Sequence, residues 1–123
     1  MEKEFVPYAQ SLRLKALGFK ERVLTYYENG IPKLYNNITG WDFNTSFTTC
    51  ISRPTFSQVF RWFREKGYDV KVLKESAGLY FGFYWTGAAW IIVGNGTYEE
   101  AELACLDKLI EIFESKLEQD EAK

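Results

Sequence analysis

Leu79-Tyr80-Phe81-Gly82-Phe83-Tyr84-Trp85, Thr86-Gly87 and Ala88-Ala89-Trp90-Ile91-Ile92-Val93 form the stretch that decides the fold. Alternation over 79–85 sets Leu79, Phe81, Phe83 and Trp85 on one face, and Tyr80, Gly82 and Tyr84 on the other. That period of two is a strand signature. The larger apolar set predicts the core face and leaves Tyr80 and Tyr84 pointing outward. Thr86-Gly87 turns the chain. Residues 88–93 are apolar at every position, which predicts a strand covered on both sides. Upstream, 68–75 predicts a third strand with Val70 and Val72 inward and Lys71 outward, closed by a turn at Ser76-Ala77-Gly78.

Helices flank these strands. Pro54 stops the preceding segment, and Thr55-Phe56-Ser57-Gln58 fits a capping box. Phe56, Val59, Phe60 and Phe63 then form one stripe, and Gly67 ends the helix. On the far side, Gly94-Asn95-Gly96 predicts a strand-to-helix turn, and Thr97 to Glu100 predicts a second capping box. The last helix is expected to reach about Leu117. At about 100° per residue its apolar positions, from Ala101 to Leu117, cover an arc of roughly 200°. An arc so wide needs a second cover besides the sheet. The first 51 residues, or a second protomer, could supply it.

The N-terminal third predicts a helix over 7–17, where Tyr8, Leu12 and Ala16 share a face. Gly18 suits its C′ position, with Phe19 folding back on Leu14 as in a Schellman motif. Asn29-Gly30 predicts a type I′ hairpin over 23–35. Pro32 cannot donate to a ladder and confines the return strand to an edge. Residues 36–49 read as loop, and 45–51 has strand propensity without alternation. The fold class expected is α+β: an N-terminal helix and hairpin layer (1–51) packed on an α-β-β-β-α unit with an antiparallel sheet (52–117). A frayed acidic tail (118–123) closes a single domain of 123 residues.

Composition narrows the function. The chain has no histidine, which removes Ser/His and Cys/His pairs and the usual zinc ligand. Cys50 and Cys105 are two scattered thiols, neither a disulfide framework nor a metal site. No motif calls for a cofactor, and no enzyme constellation is present. The net charge of −2 gives no general attraction to nucleic acid or anionic membrane. No signal-like segment opens the sequence and no run has membrane-spanning length, so the cytoplasm of whatever cell makes the protein is the expected location. Aromatic residues reach 18%, enough to fill a core with rings and leave some for binding.

Several runs carry a resemblance. They are Phe5-Val6-Pro7-Tyr8, Leu17-Gly18-Phe19, Pro54-Thr55-Phe56-Ser57-Gln58 with Phe60-Arg61-Trp62-Phe63-Arg64-Glu65-Lys66, and Tyr98 to Leu106 running on through Lys108-Leu109-Ile110-Glu111-Ile112. They resemble small phage- or prophage-type proteins of gut Bacteroidetes. The resemblance implies a mobile-element origin and carries no catalytic residues. The helix, three strands and helix also resemble the double-stranded RNA-binding domain in topology. That family opens its last helix with phosphate-gripping lysines. Here the same place holds Glu99, Glu100 and Glu102, which would repel phosphate and offset the helix dipole.

The candidate binding surface is Tyr80, Tyr84, Trp62, Arg61, Arg64 and Lys71. Tyr80 and Tyr84 around Gly82 would form a stacking platform for bases or sugars, unless another layer covers them. Arg61, Arg64, Lys66, Lys71 and Lys74 form the densest basic set, but Glu65, Asp69 and Glu75 are interleaved as on a mixed solvated surface. Trp62 lies off its helix's main stripe, either packed or anchoring a partner. The sequence therefore points first to a non-enzymatic module binding a protein partner or itself. The alternative is single-stranded nucleic-acid binding, with double-stranded RNA disfavoured and no membrane partner.

Overall fold

Each of the three strongest turn signals in the sequence sits where the chain reverses or a helix stops. In the structure, a computed structural model that describes residues 2–121, Asn29 and Gly30 have φ of 54° and 78°, as a type I′ turn requires. Gly18 and Gly67 have φ of 90° and 92° and end helices. The architecture is mixed α+β, with four α-helices and two three-stranded antiparallel sheets among the described residues. The chain divides into two compact units, Met1–Phe56 and Ser57–Lys123.

The first unit holds α1 (Tyr8–Ala16), β1 (Thr25–Glu28), β2 (Ile31–Leu34), α2 (Phe43–Ser46) and β3 (Cys50–Ser52). Its sheet order is β2-β1-β3. Pro32 lies in β2, an edge strand exposed along its whole length, as expected of a residue with no N–H. The Phe19 amide donates to the Leu14 carbonyl at 3.0 Å and the Gly18 amide to that of Lys15 at 3.1 Å, the two bonds of a Schellman cap. Phe19 and Leu14 are both buried. On α1 the structure differs from the helical pattern: it buries Ser11 and Leu14 and exposes Tyr8, Leu12 and Ala16. Ser11 is tolerated inside because its hydroxyl donates to the Val6 carbonyl at 3.3 Å.

Residues 36–51 contain more order than a loop. Asp42 caps α2 by accepting from the Thr45 amide, and β3 pairs with β1, Tyr27 facing Ile51. Asn44 ties the two together. Its Nδ2 donates to the Phe19 carbonyl at 2.8 Å, and its Oδ1 accepts from the Ser52 amide at 2.8 Å. Arg53 is also buried. Its guanidinium lies 4.4 Å from the Phe5 ring, and its Nε donates to the Tyr27 hydroxyl at 3.2 Å. The Tyr27 hydroxyl in turn donates to the Val6 carbonyl at 2.9 Å.

The second unit carries α3 (Phe56–Glu65, opening at the junction), β4 (Val70–Lys74), β5 (Tyr80–Trp85), β6 (Trp90–Gly96) and α4 (Tyr98–Glu121). The sheet order is β4-β5-β6. The turn expected at Ser76-Ala77-Gly78 is present as a short 3-10 turn. The capping box at the start of α4 forms: the Thr97 amide donates to Glu100 Oε1 at 2.9 Å and the Glu100 amide to Thr97 Oγ1 at 3.2 Å. The helix passes Leu117 and continues to Glu121, so the segment from Glu118 is helical. The last two positions of the expected tail, 122 and 123, lie outside the described residues.

Two expectations for this sheet are corrected. First, the helix-facing side of β5 is the Tyr80-Gly82-Tyr84 side. A Cβ on Gly82 would sit 2.7 Å from the Ala101 carbonyl oxygen and 2.8 Å from Cys105 Sγ, and one on Gly94 would sit 2.4 Å from the Ala104 Cβ. The glycines let α4 approach the sheet closely. Phe81, Phe83 and Trp85 face the other way. Second, 88–93 is not a covered strand. Ala88 and Ala89 belong to the turn, β6 begins at Trp90, and it is an edge that runs through Gly94-Asn95-Gly96. Part of the second cover for α4 comes from α3, since Phe113 meets Phe63 edge-on at 5.0 Å and Trp62 at 6.0 Å.

Candidate functional site

Cross-strand register in the second sheet sorts the candidate residues by face. Lys71 pairs with Phe83, and Leu73 with Phe81. Phe83 pairs with Ile92, and Trp85 with Trp90. Paired residues project to the same side. One face therefore carries Lys71, Leu73, Phe81, Phe83, Trp85, Trp90 and Ile92. The opposite face carries Val70, Val72, Tyr80, Gly82, Tyr84 and Ile91, and it is the side α4 occupies. α3 joins α4 there through the rings around Phe113. On the first face Leu73 is 44% exposed, Trp90 36% and Ile92 59%. Ile91, at the rim of the helix side, is 41% exposed. Three consecutive large apolar residues on a sheet edge are thus open to solvent.

Tyr80 and Tyr84 do not form a platform. Tyr80 packs edge-on against Tyr98 of α4 at 5.5 Å. Burial raises the Tyr84 hydroxyl pKa, with Tyr68 adding to the rise and Lys116 opposing it. Trp62 is packed, 8% exposed, against Phe63 and Phe113, with the Lys66 ammonium 4.7 Å from its ring centroid. Arg61 and Arg64 are exposed on α3, and Arg61 reaches Glu65 at 3.9 Å. Lys74, paired with Tyr80, falls on the helix side of the register. Only Lys71 of the candidate set stands on the open face. Its ammonium lies 4.2 Å from the Trp90 ring centroid and 5.5 Å from that of Phe83. Sequence reading missed Phe83, Trp85 and Trp90 as rings of the open face, the first two half-buried and Trp90 exposed. Gly82 was the signal that could have found them.

The helix side of this unit holds its perturbed acids. Burial raises the Glu102 carboxyl, and the hydrogen bond from Tyr98 opposes that rise. Burial pushes the Cys105 thiol up to about 11, which leaves it protonated and unreactive at neutral pH. Bonding to Thr97 lowers the Glu100 carboxyl. Lys116 donates to the Tyr68 hydroxyl at 2.5 Å, which raises its pKa. No pair of these groups shares a shielded pocket as acid and base would.

The first unit has its own concavity, about 370 Å³, lined by Tyr26, Tyr35, Trp41, Phe43 and Phe47 with Glu28 and Cys50 at its edge. Tyr26 stacks on Phe43 at 4.2 Å and Tyr35 meets it edge-on at 5.4 Å. The rings suggest a cation site, but cations already ring it. Lys33 pairs with Glu28 at 3.4 Å, Arg22 lies 6.0 Å from the Trp41 ring, and Lys15 donates to the Cys50 carbonyl at 3.0 Å. Among the described residues, no three His, Cys, Asp or Glu side chains gather as a metal site would need, and no helix is long and apolar enough to cross a membrane.

Comparison of the chain with protein-family models, with curated proteins and with solved structures returned no match.

Proposed function

We propose that this protein is a non-enzymatic protein-interaction module. It is an accessory protein of the phage or mobile-element type that its motifs resemble, working in the bacterial cytoplasm. One observation carries the reading: the face of the second sheet opposite α4 displays Leu73, Phe81, Phe83, Trp85, Trp90 and Ile92. A contiguous apolar patch of this kind marks an association surface more often than a solvated one. Its rings supply large contact areas with few rotatable bonds.

Replacing Trp90 and Ile92, which stand both on this face and on its open edge, together by Ser tests this. The expected variant keeps the far-ultraviolet spectrum of the wild type and loses protein association, whether with itself or with a captured host protein. Association unchanged from wild type would overturn the reading.

A second reading, single-stranded nucleic-acid binding, draws on one observation: the Lys71 ammonium beside Trp90 and Phe83 pairs a cation with stackable rings. One cation makes few phosphate contacts, so association with protein is favoured. Double-stranded RNA is disfavoured further because Glu100 is engaged in the α4 capping box where phosphate contact would fall. A mobility shift with an unstructured oligonucleotide at low salt, abolished by Trp90→Ala, would favour this second reading. No shift would remove it.

A further inference from the structure

We propose that β6 pairs antiparallel with β6 of a second copy of this chain, about a twofold axis through Ile91. The two three-stranded sheets then join as one six-stranded sheet. This rests on the association reading above and names the partner.

The free backbone is the first ground. The Thr86 amide donates to the Ala89 carbonyl at 3.0 Å, which makes Thr86 and Ala89 a hydrogen-bonded pair. Trp85 and Trp90 are then a non-bonded pair, and Tyr84 and Ile91 a bonded one. The main-chain groups of Ile91 therefore point toward β5, and those of Trp90 and Ile92 point out from the sheet edge. Natural edges are blunted by charge, proline, bulges or covering elements. The run Trp90-Ile91-Ile92 has neither charge nor proline, its side chains are open to solvent, and the bulge of β6 at Val93 falls just outside the three residues that would pair.

Self-complementarity is the second ground, and it selects a copy of this chain over an unrelated peptide. A twofold axis at Ile91 sets Trp90 against Ile92 of the other copy and Ile92 against its Trp90. Both are residues with outward main-chain groups, so each pair closes two hydrogen bonds. Ile91 then meets its own equivalent as a non-bonded pair, the closer of the two antiparallel spacings. Each would fill the groove of about 460 Å³ that Ile91, Ile92 and Val93 form with Ala104, Asp107, Lys108 and Glu111 of α4.

Charge gives the third ground. Asp107, Lys108 and Glu111 of α4 line the same groove beside β6. A twofold mate brings antiparallel helices alongside each other. Lys108 of each copy then faces the Asp107 and Glu111 carboxylates of the other, so the contact repeats reciprocally, as an isologous interface demands. The open faces of the two sheets continue across the seam, with Trp90 at its centre on both sides.

Sedimentation velocity of the full chain over a wide concentration range reads the outcome. The expected result is a concentration-dependent rise from the 14.4 kDa chain mass to twice that value. Lys108→Glu should weaken the dimer by about tenfold, and Lys108→Glu with Glu111→Lys should restore it. Register is tested by Ile91→Cys, whose thiols would meet across the axis and form an interchain disulfide under mild oxidant. Thr97→Cys, away from the axis, should form none. Cys50 and Cys105 are buried and should not contribute to the crosslink. A chain that remains monomeric at all concentrations would overturn the pairing. So would a Thr97→Cys variant that crosslinks as fast as the Ile91→Cys variant. If a monomeric chain still captures a protein through Trp90 and Ile92, only the pairing fails. If a monomeric chain captures nothing, the association reading fails with it.

Discussion

The two units use their aromatic residues in opposite ways. In the first, the rings of Phe19, Tyr27 and Phe43 turn inward together with polar groups. Arg53 lies against Phe5 and Tyr27, Tyr27 reaches the Val6 carbonyl, and Asn44 joins Phe19 to Ser52. In the second, one sheet face meets α4 through Gly82, Gly94 and the tyrosines Tyr80 and Tyr84, while Phe81, Phe83, Trp85 and Trp90 face away from it. The first unit is built to hold itself together by buried polar bonds that specify one arrangement. The first unit also exposes apolar side chains, such as Leu34 on the edge strand β2 and Ile38 in the loop after it, but the second gathers its open apolar residues on one sheet face and edge. The difference separates residues that stabilise from residues that bind.

That separation can be probed by substitution. The largest loss of stability is expected from Phe63→Ala, a fully buried ring against Phe113, at about 3–5 kcal/mol by denaturant unfolding. Gly82→Ala comes next. Its Cβ would press on the Ala101 backbone, and overpacking of this kind costs about 1–3 kcal/mol. Asn44→Ala removes the side-chain bonds to the Ser52 amide and the Phe19 carbonyl in the first unit, at about 1–3 kcal/mol. Ile92→Ser, at an exposed position of β6, should cost less than any of these while having the largest effect on association. If Ile92→Ser unfolds the chain as readily as Phe63→Ala, the open face is part of the core and the distinction collapses.

Acid gives a gentler probe of the same unit. Glu100 is held below its ordinary value of 4.5 by the Thr97 bonds, so its folded pKa is the lower one. The stability it contributes is present above 4.5 and is lost as pH falls through the lower value. Glu102 has the opposite sign. Burial raises it, so its contribution is present at low pH and lost as pH rises through its folded value. Glu102→Gln should therefore stabilise the second unit at neutral pH and have no effect at about pH 3, measured by thermal melting at the two values.

The sequence made the element order of the second unit, the I′ hairpin, the Schellman cap of α1 and the Thr97 capping box legible, because each rests on local chemistry within a few residues, whereas α2 within 36–49 was not legible. It did not reveal which face of β5 is covered. Hydrophobic alternation ranks Phe81, Phe83 and Trp85 above Tyr80 and Tyr84, and ordinary cores obey that ranking. Here the deciding quantity is the distance of helix from sheet, which Gly82 and Gly94 set. Val72 also carried the answer, because it faces Gly82 across the ladder. β6 was misread for a related reason: an apolar run predicts a covered strand unless something else leaves it at an edge. Arg53 and Asn44 were silent in the sequence, since their partners are backbone groups and rings from distant positions.

Hydroxyl-radical footprinting of the free chain at rising protein concentration separates an open edge from a covered one. In dilute protein Leu73, Trp90, Ile91 and Ile92 should be labelled while Trp62 is protected, and labelling at Ile91 and Ile92 should fall as concentration rises. Ile91 and Ile92 as protected as Trp62 at the lowest concentration would refute the open surface, because the edge and face would then already be covered within a single chain.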